Sequence, residues 1–270
     1  MDHAKPDHQP PRSLRWCSVL AGALLMATAG IVSANEIKVA GALWCPYNCA
    51  VEKDPERKGF MIDMVEAIVS RQGYQFNYTE YPWRRALIAT RALDQDLLAG
   101  TLKTDAPDFV FGKQAFGLSR SCFVTRADSN WQYTRVGDLK NQRIAVNKDQ
   151  TFGDPVDSYL RDPRRRSYVF LGSGSDYLNA QMQAVGRAQV DVTLEDEYVV
   201  RDWFKRNGKE SEYRFAGCIN SGLVFVSASP RHPKAKAMVE MLDRGVVELR
   251  QSGELAKILA KYGIADWHQP

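Results

Sequence analysis

Two adjacent carboxylates, Glu195 and Asp196, follow the apolar run VDVTL at 190 to 194, and such a pair can act as a general acid or meet a cationic group. Asp196 also opens a helical stretch, where an aspartate commonly caps the first turn, and Thr151 has the same double reading. Trp44 and Tyr47 lie in the short segment WCPYNC, and Trp83 follows Pro82. Their rings can form rigid apolar walls or face a cation. Other chemistry is argued against. No GxSxG element occurs, and beyond residue 34 only His232 and His268 remain, neither beside a cysteine, so neither a nucleophilic hydrolase nor a zinc site is expected.

The segment before residue 35 sets the compartment. Arg12 and Arg15 precede an apolar run from Val19 to Val32 that ends in Val32-Ser33-Ala34. The run is shorter than the ~20 residues of a bilayer span and ends on small residues, so 1–34 is expected to be a signal peptide cleaved after Ala34. Four cysteines then remain, Cys45, Cys49, Cys122 and Cys218, in an oxidising compartment. They allow three connectivities, of which 45 with 49 and 122 with 218 is favoured because the first two share a short loop. Hydrophobic residues at 44% and charged residues at 25% fit a soluble globular chain. The formal charge of +4 is spread over interspersed charges; RDPRRR at 161 to 166 reads as a solvated turn, and no nucleic-acid partner is expected.

Strand-like and helix-like segments alternate from Glu36 onward, which points to an α/β fold with helices covering a sheet. Strands are expected at 37 to 43, 74 to 81 and 96 to 102. Met61, Met64, Val65, Ile68 and Val69 mark a helix closed by Gly73, and Pro82 starts another through Leu93. A second set follows, with strands at 143 to 147, 168 to 172 and 190 to 194 and helices after Thr151, from Ser175 and from Asp196. The stretches 213 to 217 and 223 to 229 read as two further strands. Two helices close the chain, 233 to 251 and 252 to 262, with Ser252 as N-cap and Gly263 as stop. GSGSD at 172 to 176 is a strand-to-helix turn. No flexible linker interrupts the middle, so two lobes should be joined by crossing strands, 122 to 128 and 218 to 226, each starting at a cysteine.

GFMIDMVEAI, YPWRRAL, DLLAGTLKT, DLKNQRIAV, VDVTLEDE and SGELAKILAKYG, in this order, resemble the bacterial extracellular solute-binding proteins of family 3, the polar amino acid type of type II periplasmic binding proteins. The resemblance implies an α/β, two-lobed fold, each lobe a sheet flanked by helices. Lobe 1 comprises 35–123 and 222–270, and lobe 2 comprises 124–221. It implies a periplasmic protein, monomeric and without a cofactor, that captures a small polar, amino-acid-like molecule in the interlobe cleft for an ABC-type transporter. Its partner would be a membrane permease or, in the sensor alternative, a sensory receptor. Turnover is not expected; the enzymatic alternative is a cyclohexadienyl dehydratase-like activity with Glu195 or Asp196 as acid. By position the resemblance assigns Asp196 to a ligand ammonium, and Thr151 with Phe152 to a carboxylate. Trp44, Tyr47 and Trp83 are cleft aromatics, whereas Asp63 reads as structural. One departure stands out. Pro107 occupies the place of the arginine that grips an α-carboxylate and Leu102 that of a hydroxyl, which puts a standard α-amino acid in doubt and leaves Arg84 or Lys103 as substitutes.

Overall fold

The computed structural model describes residues 35–147, 150–164, 168–170 and 177–268. The expected signal peptide, Arg165 and Arg166, and the turn at 172 to 176 lie outside the described residues. Residues Ala34–Pro270 form one compact unit.

Three parallel strands open it: β1 (Glu36–Gly41), β2 (Gln75–Glu80) and β3 (Leu97–Thr101), connected through helices α1 (Phe60–Arg71) and α2 (Trp83–Ala92). A short β4 (Val110–Phe111) and the ten-residue β5 (Gly117–Arg126) follow. A second parallel trio comes next: β6 (Ile144–Val146), β7 (Tyr168–Phe170) and β8 (Val192–Asp196), with α3 (Val156–Arg161), α4 (Tyr177–Gly186) and α5 (Glu197–Asn207). The 16-residue β9 (Tyr213–Ala228) leads to α6 (Ala235–Gln251) and α7 (Glu254–Tyr262). The strand order is β2-β1-β3-β9-β5-β8-β6-β7, with β4 also on β9. The antiparallel pair β5 and β9 thus runs between the trios. The far end of β9 pairs with β3, where Leu97 faces Ala228, and the middle of β5, Ser121–Val124, pairs with β8, where Ser121 faces Asp196.

Strands buried on both faces divide their side chains by the two-residue period of the pleat. Val39, Leu97 and Ala99 join the largest apolar cluster with α1, α6 and α7, while Ala40 and Leu98 face the other way, onto Ala86, Ala106 and Phe109. In the second trio Ala145 belongs to the large cluster, whereas Ile144, Val146, Val192 and Leu194 pack with Phe123, Leu139 and Leu160. The apolar stripe read from the sequence is the buried face of α1, including Met61, Met64, Val65, Ile68 and Val69. Cys45 bonds Cys49 and Cys122 bonds Cys218, the second pair joining β5 directly to β9.

Some expectations are corrected. The stretches at 213 to 217 and 223 to 229 belong to one strand, β9 (Tyr213–Ala228), because β5 pairs along it from Tyr213 to Val224, with register shifts around Cys122, and β3 takes over from Phe225 to Ala228. Both crossing strands extend upstream of their cysteines, which sit at mid-strand. The helix expected after Thr151 begins only at Val156, since Asp157 holds the preceding turn by accepting from the Phe152 and Gly153 N–H groups. Ser252 ends α6; the N-cap of α7 is Gly253, in the left-handed region, with no side-chain cap.

Gly59 ties the fold to the loop that follows β1. It caps α1 at φ +103°, and a Cβ there would lie 2.3 Å from the Tyr47 carbonyl oxygen. Gly59→Ala is expected to lower stability by roughly 2–4 kcal/mol, combining left-handed strain with overpacking. Gly73→Ala, at φ +79° with nothing within 4 Å, serves as the control and should lose about 1 kcal/mol. Urea midpoints of the two variants check the difference.

Candidate functional site

Because β1, β2 and β3 run parallel, the segments leaving their carboxyl ends share one edge. There lie Trp44 and Tyr47 after β1, Trp83 and Arg84 after β2, and Lys103 after β3. The carboxyl ends of β6 and β8 likewise present Gln150, Thr151 and Phe152 beside Asp196. Ligand crevices of open α/β sheets form at such edges.

The loop after β1 is tightly built. Trp44 and Asn48 exchange backbone hydrogen bonds of 2.8 and 3.1 Å, and the Cys45–Cys49 disulfide closes the same turn. With no side-chain cap at Gly59, the first donors of α1 are satisfied by this loop: Phe60 N–H donates to Pro46 and Met61 N–H to Tyr47. Trp44 stacks on Tyr47 at 3.8 Å and 9°, and Phe60 closes its other side at 4.9 Å, so Tyr47 is 0% exposed. Its hydroxyl emerges at Leu118 O, 2.7 Å away, and at Asp196 Oδ2, 3.1 Å away.

Asp196 is the N-cap of α5. Its Oδ1 accepts from the N–H groups of Tyr198 at 2.9 Å and Val199 at 3.2 Å. Its Oδ2 accepts from Ser119 Oγ at 2.7 Å and Arg120 N at 3.1 Å, besides the Tyr47 hydroxyl. Burial pushes its carboxyl up to about 7, the Ser119 hydrogen bond pulls the other way, and the neighbouring Glu195 pushes it further up. The Tyr47 phenol, buried and beside Asp196, is raised well above its ordinary value. When Asp196 is protonated, its proton can point to the phenol oxygen while the phenol donates to Leu118. Glu195 is also buried and raised by desolvation; Gln150 Nε2 donates to both its oxygens, at 3.0 and 2.8 Å, and Tyr177 lies against it.

Of the residues singled out from the sequence, the structure joins Tyr47 to Asp196 and Trp44 to Tyr47. Trp83 is half-buried against the cluster of Ala40, Ala86 and Leu98. Arg84 is exposed, and Lys103 is exposed over the Phe225 ring at 4.9 Å. Thr151 is exposed and five residues short of α3, while Phe152 packs with the cluster of Leu139 and Leu160. Asp63 accepts from Lys261 at 3.0 Å and Tyr262 at 2.8 Å, a structural tie between α1 and α7. Sequence reasoning missed Ser119, Gln150 and Tyr177. Ser119 lies two residues before Ser121, the register partner of Asp196, in a strand start that lacked strong alternation, and only pairing with β8 brings it near the cap.

The chain matches the bacterial extracellular solute-binding proteins, family 3, over residues 37–265. It belongs to that family. Among solved structures, this family 3 member is similar to a mutant of ArgBP from T. maritima, at 16% identity and TM-score 0.68, covering 84% of this chain and 95% of that one. A histidine kinase sensor domain with similarity to periplasmic binding proteins gives 16% and 0.68, over 85% and 96%. The GluR0 ligand-binding core from Nostoc punctiforme in complex with (L)-glutamate gives 17% and 0.65, over 85% and 100%. A comparison with curated proteins finds no match. The fold is therefore the two-lobed type II periplasmic binding fold, with β5 and β9 as its crossing strands.

The raised carboxyl of Asp196 fixes a sign. The folded state holds the proton up to about pH 7, whereas the unfolded chain releases it near 3.8. Stability from this group is complete below the lower value and is lost as pH rises through the higher one. Glu195 acts in the same direction. Melting temperatures recorded across that window should fall with rising pH, and Asp196→Asn, which keeps a cap acceptor, should flatten the fall. An unchanged slope in the variant would assign the dependence elsewhere.

Proposed function

We propose that the processed protein, residues 35–270, is a periplasmic solute-binding protein that captures a small polar, amino-acid-like molecule between its lobes for an ABC-type transporter. Lobe 1 comprises 35–123 and 222–270, lobe 2 comprises 124–221, and 1–34 is the signal peptide. One observation carries the reading: the carboxyl edges of two parallel strand trios meet across the β5–β9 pair, with Tyr47 from one edge bonded to Asp196 on the other. Family membership and the (L)-glutamate held by the similar GluR0 ligand-binding core support it. The role proposed is recognition without turnover. Closure of the lobes on a solute biases a hinge equilibrium, and the closed form docks on a membrane permease as a monomer.

The test is thermal unfolding of the protein purified from periplasmic extract, refolded to strip bound solute, against amino acids, polyamines, dicarboxylates and short peptides. A true solute at 100 times its dissociation constant stabilises by about 2.7 kcal/mol, a shift of several degrees. A selective shift for one chemical class is expected, and loss of uptake of that compound on deletion of the protein links binding to transport. No shift with any class would defeat the reading.

A further inference from the structure

Asp196 has no room for a ligand. A carboxylate offers about four lone-pair sites, and four donors from its own chain meet this one: the N–H groups of Tyr198, Val199 and Arg120 and the hydroxyl of Ser119, with the Tyr47 hydroxyl, which also faces Leu118 O at 2.7 Å, set against Oδ2 at 3.1 Å. The residue is 3% exposed. An ammonium group brought against it would have to evict a hydroxyl, and neither leaves easily. Ser119 is held in β5, which pairs with β9 and β8 on its two sides. Tyr47 is buried against Trp44 and Phe60, in a loop closed by a disulfide and hydrogen-bonded to the start of α1. An evicted Ser119 hydroxyl would lose the acceptor it has here, at a cost of about 1–3 kcal/mol, whereas Tyr47 would keep Leu118 O.

The opposite charge is available. Arg84 follows β2 and Lys103 follows β3 on the same carboxyl edge of lobe 1, both exposed, and neither has a carboxylate partner among the described residues. On lobe 2 the Phe152 and Gly153 N–H donors are already taken by Asp157, at 2.9 and 3.2 Å, so they do not compete for an anion.

We propose that Tyr47 and Ser119 occupy Asp196 in place of a ligand ammonium, so that the cleft selects an organic anion without an amine, gripped from Arg84 and Lys103. The inference rests on the solute-binding reading and narrows it.

Matched pairs that differ only at the amine test it on the unaltered protein: L-glutamate against 2-hydroxyglutarate and 2-oxoglutarate, L-aspartate against malate, and L-phenylalanine against phenyllactate, by titration calorimetry. The amine-free member of at least one pair should bind about tenfold or more tightly than the amino acid, and Arg84→Ala or Lys103→Ala should weaken it by a similar factor. Because both side chains are on the surface, these variants should fold, and circular dichroism confirms that. An amino acid that outbinds its amine-free partner overturns the inference and leaves solute binding standing. Full affinity in both variants overturns the grip. Silence from every pair, together with silence from the wider thermal panel, overturns both readings.

Discussion

A buried carboxyl that caps a helix can be stable only if every donor around it is in place, and the arrangement of both lobes follows from how Asp196 meets that demand. Two donors come from the first turn of α5, two from β5 and one from the loop after β1. Elements distant in sequence are thereby fixed to one pair of oxygen atoms. Desolvation raises the carboxyl and the surrounding hydrogen bonds restrain that rise. Each oxygen is met by at least two of these groups, so the loss of one donor weakens the cap without leaving an oxygen unmatched.

The loop carrying Tyr47 is supported from the far end of the chain. Tyr262 on α7 donates to Asp63 of α1 and accepts from the Gly59 N–H, while Arg57 lies over the Tyr262 ring at 5.3 Å and reaches Asp202 of α5 at 2.5 Å. The C-terminal helix, the entrance to α1 and the helix capped by Asp196 therefore share one polar chain. Asp202 also holds Arg206, so its buried charge meets two guanidinium groups. Such a buried cluster fixes geometry more surely than it adds stability.

Much of the fold was legible because the periods were clean. The apolar stripe of α1, the Pro82 start of α2, the Asp196 start of α5 and the Gly263 stop all stand as read. The crossing strands were less so. Whether 213 to 229 is one strand or two depends on partners far away in sequence, and Asn220, Ser221 and Gly222 in the middle look like a turn to any local reading. At the site, Trp44 and Tyr47 were visible as an aromatic pair beside a disulfide, but not that Tyr47 would be turned inward onto Asp196. That outcome is set by the fit between two edges, and no spacing within either edge encodes it. The expectation of Pro107 in place of an arginine came from the resemblance, whereas the crowding of Asp196 needed Ser119, a residue with no local mark.

The Cys122–Cys218 bond spans 96 positions and encloses every element from β6 to α5. Covalently, the stretch between the two cysteines is a macrocycle hung from β5 and β9. A single backbone cut inside the ring leaves both pieces attached, so continuity of the polypeptide and integrity of the ring become separate properties. Opening the ring changes only the topology of the chain at first, yet it returns the enclosed elements to the conformational freedom of an ordinary insertion.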